Sequence, residues 1–197
     1  MRLPWRRGER ASSLDLLVVG LGNPGREYER TRHNVGFQIA RELIDRWSLS
    51  APKSAYRGLL TAGRIGPGEP HVAVLLPQTY MNDAGQSAGP ARGALKVPLE
   101  RVIVLYDEID LPFGEIRVRA GGGLAGHNGL KALRHGLGSP DFLRVRAGVG
   151  RPDSTDPEIV SSWVLGTFRE SADEVGELVS GAADAAERII ADGGVTV

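Results

Sequence analysis

Polar side chains that could activate water stand where apolar runs or glycine-rich turns of the sequence end. A neutral imidazole can take a proton from water near pH 7, and a carboxylate bonded to its other nitrogen fixes the tautomer. Side-chain amides can donate to an oxyanion as it forms. These residue types suggest hydrolysis of an activated ester by water, without a metal or a covalent intermediate. The candidates are Asn23, His33, Asn82, Asp107, His127 and Asn128.

Each of these residues also has a plain structural explanation. A lone histidine is more often a hydrogen-bonding partner within the fold than a catalyst, Asp107 could cap the turn that follows it, and Asn82 could cap a helix. His33, His127 and either Asp107 or Glu108 could hold a metal, although no spacing such as H-x-x-x-H supports one. Their shared position favours a site, because open α/β sheets bind ligands at the carboxyl ends of their strands.

The stretch "GLGNPG" matches a dinucleotide-binding pattern by its glycines alone. Gly20, Gly22 and Gly25 follow an apolar run in the spacing G-x-G-x-x-G. In a dinucleotide fold the helix begins inside this motif, whereas here the helical apolar pattern begins only near Asn34. We therefore interpret the motif as a turn that places Asn23 at the end of the first strand.

The segment "GQSAG" (85–89) matches the nucleophile elbow of serine esterases. Ser87, Asp107 and His127 also follow the chain order of that class. The elbow needs a strand that runs directly into the serine, whereas the preceding apolar strand ends at Pro77. A serine esterase acting through Ser87 is the alternative enzyme reading.

Apolar periodicity predicts alternating strands and helices. Buried strands are expected over 14–20, 71–77 and 101–110, and half-buried strands over 115–120 and 142–150. Helices are expected over 34–47 and 170–191, with a short helix after the glycine loop "GGGLAGHNG". Strands that alternate with helices predict an α/β layer fold. We expect one domain over 14–197, preceded by a disordered extension over 1–13.

Composition and charge narrow the class of protein. The 197-residue chain has no cysteine, which excludes disulfides and thiol catalysis. Neither a signal peptide nor an apolar run of about 20 residues is present, so a cytoplasmic protein without membrane contact is expected. Residues 110–151 carry seven basic and three acidic side chains (+4), whereas 152–197 carry two and ten (−8). This asymmetry suggests a local face for an anionic ligand.

Four blocks of the sequence resemble the bacterial-type peptidyl-tRNA hydrolase family, in that family's order. They are "VVGLGNPGREYERTRHNVG", "LLPQTYMNDAG", "LYDEIDLPFGEIRVRAGGGLAGHNGLKAL" and "FLRVRAGVGRP". The resemblance covers about residues 14–190. It implies a single three-layer α/β/α domain around a mixed twisted sheet. It also implies a cofactor-free monomer that hydrolyses the ester between peptide and tRNA in peptidyl-tRNA.

The resemblance also implies roles for individual residues. His33 would be the base and Asp107 would orient it, while amide side chains hold the peptide backbone, the scissile carbonyl and the attacking water. The peptide and the tRNA 3′ end would lie along a groove lined by Tyr28 and Met81, with His127 beside it. Arg119 and Arg146 would clamp the tRNA 5′-phosphate. The amide positions are Asn23, Asn82 and Asn128.

The sequence departs from the family pattern in the glycine loop, where Leu124 and Ala125 stand at positions in which His and Gly are common. A non-catalytic RNA-binding relative would keep the fold and the basic face but lose turnover. The intact His33, Asp107 and Asn128 favour the enzyme over that relative.

Overall fold

A seven-stranded sheet forms the centre of the protein, in the order β2-β3-β4-β1-β5-β7-β6. The computed structural model describes residues 14–194, so the extension expected over 1–13 lies outside the described residues. The strands are β1 (Leu16–Gly20), β2 (Lys53–Ala55), β3 (Gly58–Arg64), β4 (His71–Pro77), β5 (Val102–Glu108), β6 (Ile116–Ala120) and β7 (Leu143–Gly148).

The middle of the sheet is parallel and both of its margins are antiparallel. Strand β1 pairs in parallel with β4 and β5, and β5 pairs in parallel with β7. Strands β2, β3 and β4 pair antiparallel on one side, and β6 pairs antiparallel with β7 on the other. Strands covered on both faces read as continuous apolar runs, which explains why 14–20 and 101–110 are recognisable in the sequence.

Helices cover both faces of the sheet and create two apolar cores. The helices are α1 (Val35–Arg46), α2 (Gly85–Leu95), α3 (Asn128–Leu137), α4 (Pro157–Leu165) and α5 (Ala172–Ala191). Side chains of α1 and α5 pack with one face of the strands, and those of α2 and α3 pack with the other. The expected three-layer α/β/α domain with a mixed sheet is confirmed. No helix within residues 14–194 is long and apolar enough to cross a bilayer.

Several elements differ from the sequence-based expectation. Strands β2 and β3 and helices α2 and α4 were not expected, because α2 is rich in glycine and alanine and the two strands are short or partly exposed. Strand β6 was expected to be half-buried but is largely exposed, with Val118 41% accessible. Strand β6 lies at the margin of the sheet, and α5 packs against Ile116, the first residue of that strand.

Helix α1 begins in direct backbone contact with the sheet. A Cβ on Gly36 would lie 2.3 Å from the carbonyl oxygen of Leu105 and 2.5 Å from that of Leu21. A Cβ on Gly20 would lie 2.5 Å from the carbonyl oxygen of Gly36. The glycines of "VVGLG" and "HNVG" therefore allow α1 to approach β1 and β5 closely, and this approach sets the position of the residues just before the helix.

We expect Gly36→Ala to lower the free energy of unfolding by about 1–3 kcal/mol, because the new methyl group overlaps backbone on β5. At this chain length that corresponds to a fall in Tm of roughly 2–4 °C per kcal/mol. Gly93→Ala in α2 is the matched control, because no described heavy atom lies within 4 Å of the added Cβ. Thermal unfolding followed by circular dichroism checks both variants, and a Tm for Gly36→Ala at or above wild type would contradict the packing argument.

Candidate active site

The carboxyl ends of three neighbouring parallel strands bring the predicted residues together. Strands β4, β1 and β5 are adjacent, so their ends meet at one edge of the sheet. Asn23 follows β1, Met81 and Asn82 follow β4 in a short 3₁₀ turn, and Asp107 lies near the end of β5. The sequence expectation that these residues share one edge is therefore confirmed by the topology.

The carboxylate of Asp107 is buried and forms hydrogen bonds with two imidazole rings. Its Oδ1 lies 2.9 Å from Nδ1 of His33 and 3.0 Å from Nε2 of His127, and its Oδ2 lies 3.0 Å from Nδ1 of His33. Burial raises the pKa of Asp107, but the charges and hydrogen bonds of the two histidines lower it by more, so the net pKa lies well below the usual range. Asp107 is therefore ionised at neutral pH, and it does not cap the following turn.

His33 is held so that only one ring nitrogen is left for chemistry. Its Nδ1 faces both oxygens of an ionised carboxylate, so Nδ1 carries the proton and Nε2 of the neutral ring is a lone-pair acceptor. No hydrogen bond within residues 14–194 involves that Nε2. Burial lowers the pKa of His33, but the charge and hydrogen bond of Asp107 raise it by more, so the net pKa is above the ordinary value.

His127 has both of its ring nitrogens engaged. It is the N-cap of α3, and its Nδ1 accepts from the backbone N–H of Leu130 at 3.3 Å. The proton of the neutral ring is therefore on Nε2, which donates to Asp107. The ring centroid of His127 lies 5.0 Å from that of His33 and 5.1 Å from that of Tyr106. His127 supports Asp107 but has no nitrogen left to act as a base.

His33, Asp107 and His127 are also the described residues whose ligand atoms are close enough to hold a metal, all lying within 4.8 Å of one another. A metal on Nε2 of His127 would move the ring proton to Nδ1, where the N–H of Leu130 already points. The same three groups are satisfied without a metal, by two N–H donors on one carboxylate. The hydrogen bonding therefore favours the proton-transfer arrangement over a metal centre.

The side chain of Asn23 is oriented by hydrogen bonds. Its Oδ1 accepts from the backbone N–H of Met81 at 2.7 Å. Its own backbone is bonded by Asn34, whose Oδ1 accepts from the N–H at 2.8 Å and whose Nδ2 donates to the carbonyl at 2.9 Å. Because the Oδ1 of Asn23 is occupied, its Nδ2 is the group that can donate to a ligand.

Asn82 and Asn128 line one cleft between the beginnings of α2 and α3. The cleft has a volume of about 340 Å³ and is also lined by Lys131 and His135 on α3. Both amide side chains are exposed. Asn82 does not cap α2, whose N-cap is Ala84. The two amides are therefore free of a capping role, and Asn128 opens the helix that His127 caps.

Met81 and Tyr28 differ in how closely they approach the cluster. Met81 is 4% exposed, and its sulfur packs against Gly129, beside the ring of His127. Tyr28 is half-buried in the short turn Arg26–Tyr28. Its hydrogen bonds within residues 14–194 are made by its backbone, whose carbonyl accepts from the Thr31 hydroxyl. The structure places Met81 beside His127, and no hydrogen bond or ring contact joins Tyr28 to either histidine among residues 14–194.

The predicted arginines lie on one face of the β6–β7 pair. Arg119 stands opposite Arg144, and Arg117 stands opposite Arg146, so Arg119 and Arg146 are diagonal neighbours, a separation of about 7–8 Å in such ladders. Arg146 forms an ion pair with the buried Glu108 at 3.0 Å. Arg119 packs against Gly122 and has no carboxylate partner among the described residues. This face is therefore strongly cationic beside the end of β5.

Ser87 is not placed as an esterase nucleophile. It lies within helix α2 and is 0% exposed. Its hydroxyl points toward Gly58 on β3 and has no hydrogen-bond partner among the described residues. The elbow pattern arose from small residues that let α2 pack closely, so the serine esterase alternative is wrong.

Sequence reasoning missed the supporting roles of three buried polar residues, of which it considered only Glu108, as a possible metal ligand. Asn34 holds the backbone of Asn23, and Glu108 holds Arg146. Arg144 is 1% exposed and donates to the carbonyls of Gly122 and Gly123 in the glycine loop. The available signal was their position, since each is a polar residue beside a predicted site residue or within a predicted strand.

The glycine loop keeps its turn despite its unusual residues. Ala125 adopts a left-handed φ of 44°, a conformation that favours glycine, and the carbonyl of Leu124 accepts from the N–H of His127 at 2.8 Å. Leu124 also packs against the α2–α3 core. The loop therefore still delivers His127 and Asn128 to the site.

The fold is a three-layer α/β/α domain, and its site brings a histidine bonded to a buried aspartate to the same sheet edge as Asn23 and Asn82. The family model described as "Peptidyl-tRNA hydrolase" matches residues 17–196. A peptidyl-tRNA hydrolase of Syntrophotalea carbinolica is 50% identical over 152 residues, 77% of this chain and 78% of that protein. One of Geobacillus kaustophilus is 46% identical over 175 residues, 88% of this chain and 92% of that protein.

A solved structure gives the same result for the fold. The crystal structure of peptidyl-tRNA hydrolase from Acinetobacter baumannii superposes with a TM-score of 0.79 at 36% identity, covering 94% of this chain and 92% of that one. The chain belongs to the peptidyl-tRNA hydrolase family, as the four sequence blocks predicted.

The raised pKa of His33 predicts the pH dependence of hydrolysis. We expect that, with His33 as the base, kcat/KM rises with pH through an apparent pKa above about 6.5 and then levels off, because a base must be unprotonated. Asp107→Asn removes the charge that raises this pKa while burial continues to lower it. The midpoint should therefore move down, and the plateau should fall about 100-fold or more because the amide no longer fixes the tautomer.

Glu108→Gln is the matched control for that experiment. Glu108 is the next residue and is also buried, but it pairs with Arg146 rather than with a histidine. Its substitution should leave the midpoint of the pH profile in place. An unchanged midpoint in Asp107→Asn, or an equal shift in Glu108→Gln, would rule out Asp107 as the group that tunes His33.

Proposed function

We propose that this chain hydrolyses the ester bond between peptide and tRNA in peptidyl-tRNA with a water molecule activated by His33. Membership of the family supports the reaction. The observation that carries the mechanism is the bond of 2.9 Å between Nδ1 of His33 and Asp107. This bond leaves Nε2 of His33, on a ring that keeps some exposure, as the only imidazole nitrogen of the cluster without a hydrogen bond among the described residues.

His33 accepts a proton from water at Nε2 as the water oxygen attacks the ester carbonyl. The imidazolium that forms is stabilised by the ionised Asp107, which already accepts from Nδ1. His127 donates a second hydrogen bond to the same carboxylate and keeps it in place. General-base assistance of this kind contributes roughly 10²–10⁴ in rate. The bond between the carbonyl carbon and the ribose oxygen then breaks, and the imidazolium returns its proton to that oxygen. The peptide is released as a carboxylic acid that keeps the second proton of the water.

The amide side chains hold the substrate and the developing charge. Asn23 presents its Nδ2 donor because its Oδ1 is fixed by Met81. Asn128 stands at the first residue of α3, and Asn82 faces it across the cleft. Together they position the peptide backbone, the scissile carbonyl and the water. Met81 provides the apolar side of the groove beside His127, and Tyr28 lines the groove farther out.

Arg119 and Arg146 bind the 5′-phosphate of the tRNA. They are diagonal neighbours on the arginine-bearing face of β6 and β7, and phosphate contacts supply affinity and register without reading sequence. Such a clamp suits an enzyme whose substrates share a backbone and differ in sequence. Glu108 orients Arg146 and ties it to the end of β5, one residue from Asp107.

The protein acts as a cytoplasmic monomer without a cofactor in this proposal. A family that handles peptidyl-tRNA supports a cytoplasmic location. The hydrogen bonding of His33, Asp107 and His127 supports a reaction that needs no metal. The competing proposal is a non-catalytic RNA-binding relative, which the assembled His33–Asp107 pair disfavours.

Single-turnover cleavage of an N-blocked aminoacyl-tRNA tests the mechanism. With EDTA present, the wild type should cleave rapidly and His33→Ala should be slower by about 100-fold or more, because it has lost the base. His71→Ala is the control, since that histidine begins β4 at the opposite end of the strand. Tight tRNA binding without wild-type cleavage would favour the RNA-binding relative, and full activity of His33→Ala would exclude His33 as the base.

Binding of tRNA with and without its 5′-phosphate tests the clamp. Arg119→Ala should weaken binding of the phosphorylated tRNA and reduce the slope of log affinity against log salt by about 0.7–0.9 per lost phosphate contact. On dephosphorylated tRNA the variant and the wild type should bind alike. Arg117→Ala is the matched control, because Arg117 shares the strand face but pairs with Glu115. Equal losses on both tRNAs would show that Arg119 does not recognise the 5′-phosphate.

A further inference from the structure

A buried cation that takes no part in the proposed chemistry lies directly before His33. Arg32 is 2% exposed and belongs to the same short turn, Arg32–Asn34. Burial lowers the pKa of its guanidinium, the charge of Glu170 raises it and that of Arg169 lowers it. An arginine still carries its charge at neutral pH. The fold therefore keeps a positive charge out of water one residue from the base.

The guanidinium of Arg32 is held by the segment 163–170, which comprises the end of α4 and the residues that follow it. Its Nη1 donates to the carbonyl of Thr167 at 2.8 Å and to that of Trp163 at 3.3 Å. Its central carbon lies 3.9 Å from the centroid of the Trp163 ring, and Trp163 donates through Nε1 to the carbonyl of Gly150 at 2.8 Å. The side chain of Arg32 is thus stacked and bonded against one segment.

The backbone around Arg32 is bonded to the same segment. The N–H of Arg32 donates to the carbonyl of Gly166 at 3.1 Å, and Thr31 forms an isolated antiparallel bridge with Thr167. These contacts fix both the side chain and the main chain of the turn. The position of the segment 163–170 is therefore transmitted directly to the residue that precedes His33.

Arg32 is poorly suited to act as a stabilising residue alone. Its Nε and Nη2 are buried without a hydrogen-bond partner among the described residues, and the nearest carboxylate oxygen, on Glu170, is 3.8 Å from Nη2. Exchanging a buried charge for an apolar side chain of similar volume is often neutral or stabilising. The retention of a planar cation here calls for a role in geometry.

The other side of the same turn holds the reacting groups. His33 bonds Asp107, and Asn34 bonds the backbone of Asn23 at both its N–H and its carbonyl. A shift of the turn would therefore move the base and the amide donor together. The glycine contact of Gly36 fixes the end of the turn that enters α1, whereas Arg32 fixes the end that approaches it.

We propose that Arg32 is a positioning residue for His33 and Asn23, and that it couples the segment 163–170 to the geometry of the catalytic site. This inference rests on the proposed function. Arg32 touches neither substrate nor reacting atoms in it. It acts by holding the turn from which His33 and Asn34 project, through the two hydrogen bonds of Nη1 and the stacking of its planar guanidinium on Trp163.

Arg32→Lys tests the positioning role of Arg32 because lysine keeps the charge but lacks the planar guanidinium. We expect kcat on peptidyl-tRNA to fall about 10- to 100-fold with KM nearly unchanged, the range typical of groups that orient a catalytic residue. The ¹⁵N shifts of the His33 ring should change, with those of His71, at the opposite end of β4, as the reference outside the site. A purely structural role would lower Tm without moving these shifts or the kcat of the folded enzyme.

Arg46→Lys is the matched control. Arg46 is likewise a multiply bonded anchor, joining α1 to Asp184, Glu187 and Ser180 of α5, but it lies at the far end of α1 from His33. It should lower Tm and leave kcat and the His33 shifts at their wild-type values. Equal effects of Arg46→Lys and Arg32→Lys on kcat would overturn the proposal.

Trp163→Leu provides a second route if Arg32→Lys fails to fold. Removing the ring beneath the guanidinium should lower kcat in the same direction. Where both single variants fold, the double variant should lose no more than the larger single loss, because the two residues act through one contact. Wild-type kcat in folded Trp163→Leu would overturn the coupling. Absence of cleavage by the wild type would instead refute the proposed function, so the two failures are distinguishable.

Discussion

The ionised carboxylate of Asp107 is the constraint on which the rest of the site depends. A carboxylate that is 1% exposed is tolerated only if donors replace the water it has lost, and here two imidazole N–H groups do so. The two histidines must arrive from different helices. His33 precedes α1 on one face of the sheet, and His127 caps α3 on the other. A single buried charge thus requires both outer layers of the fold.

Close packing of those layers follows from the same requirement. The start of α1 approaches the sheet through Gly36, and the start of α3 approaches the sulfur of Met81 through Gly129. A Cβ on Gly129 would lie 2.5 Å from that sulfur and 3.0 Å from Cε1 of His127. A side chain at Gly36 would overlap backbone and hold α1 away from the sheet, whereas one at Gly129 would displace the side chains around His127.

The cationic face and the catalytic edge are neighbours because β7 lies beside β5. Arg146 lies next to Tyr106 in the parallel ladder and pairs with Glu108. Arg144 instead donates hydrogen bonds to the loop that leads to His127. Arg119, Arg144 and Arg146 have similar sequence surroundings but different hydrogen-bond partners. Of the three, only Arg119 has no carboxylate or carbonyl partner among the described residues. Tertiary contacts, and not residue type, separate them.

The sequence by itself determined the buried strands at the centre of the sheet, the amphipathic α1 and the polar residues at the strand ends, because burial on both faces and helical periodicity are local patterns. It also carried the family through four blocks in order. Only the tertiary structure decided that Ser87 is buried in a helix, that β6 is exposed, and that His33 rather than His127 keeps an unbonded ring nitrogen among the described residues. Those features depend on what packs against a residue from distant parts of the chain. Arg32 escaped sequence reasoning for that reason, since the carbonyls that it bonds lie 131 and 135 positions away.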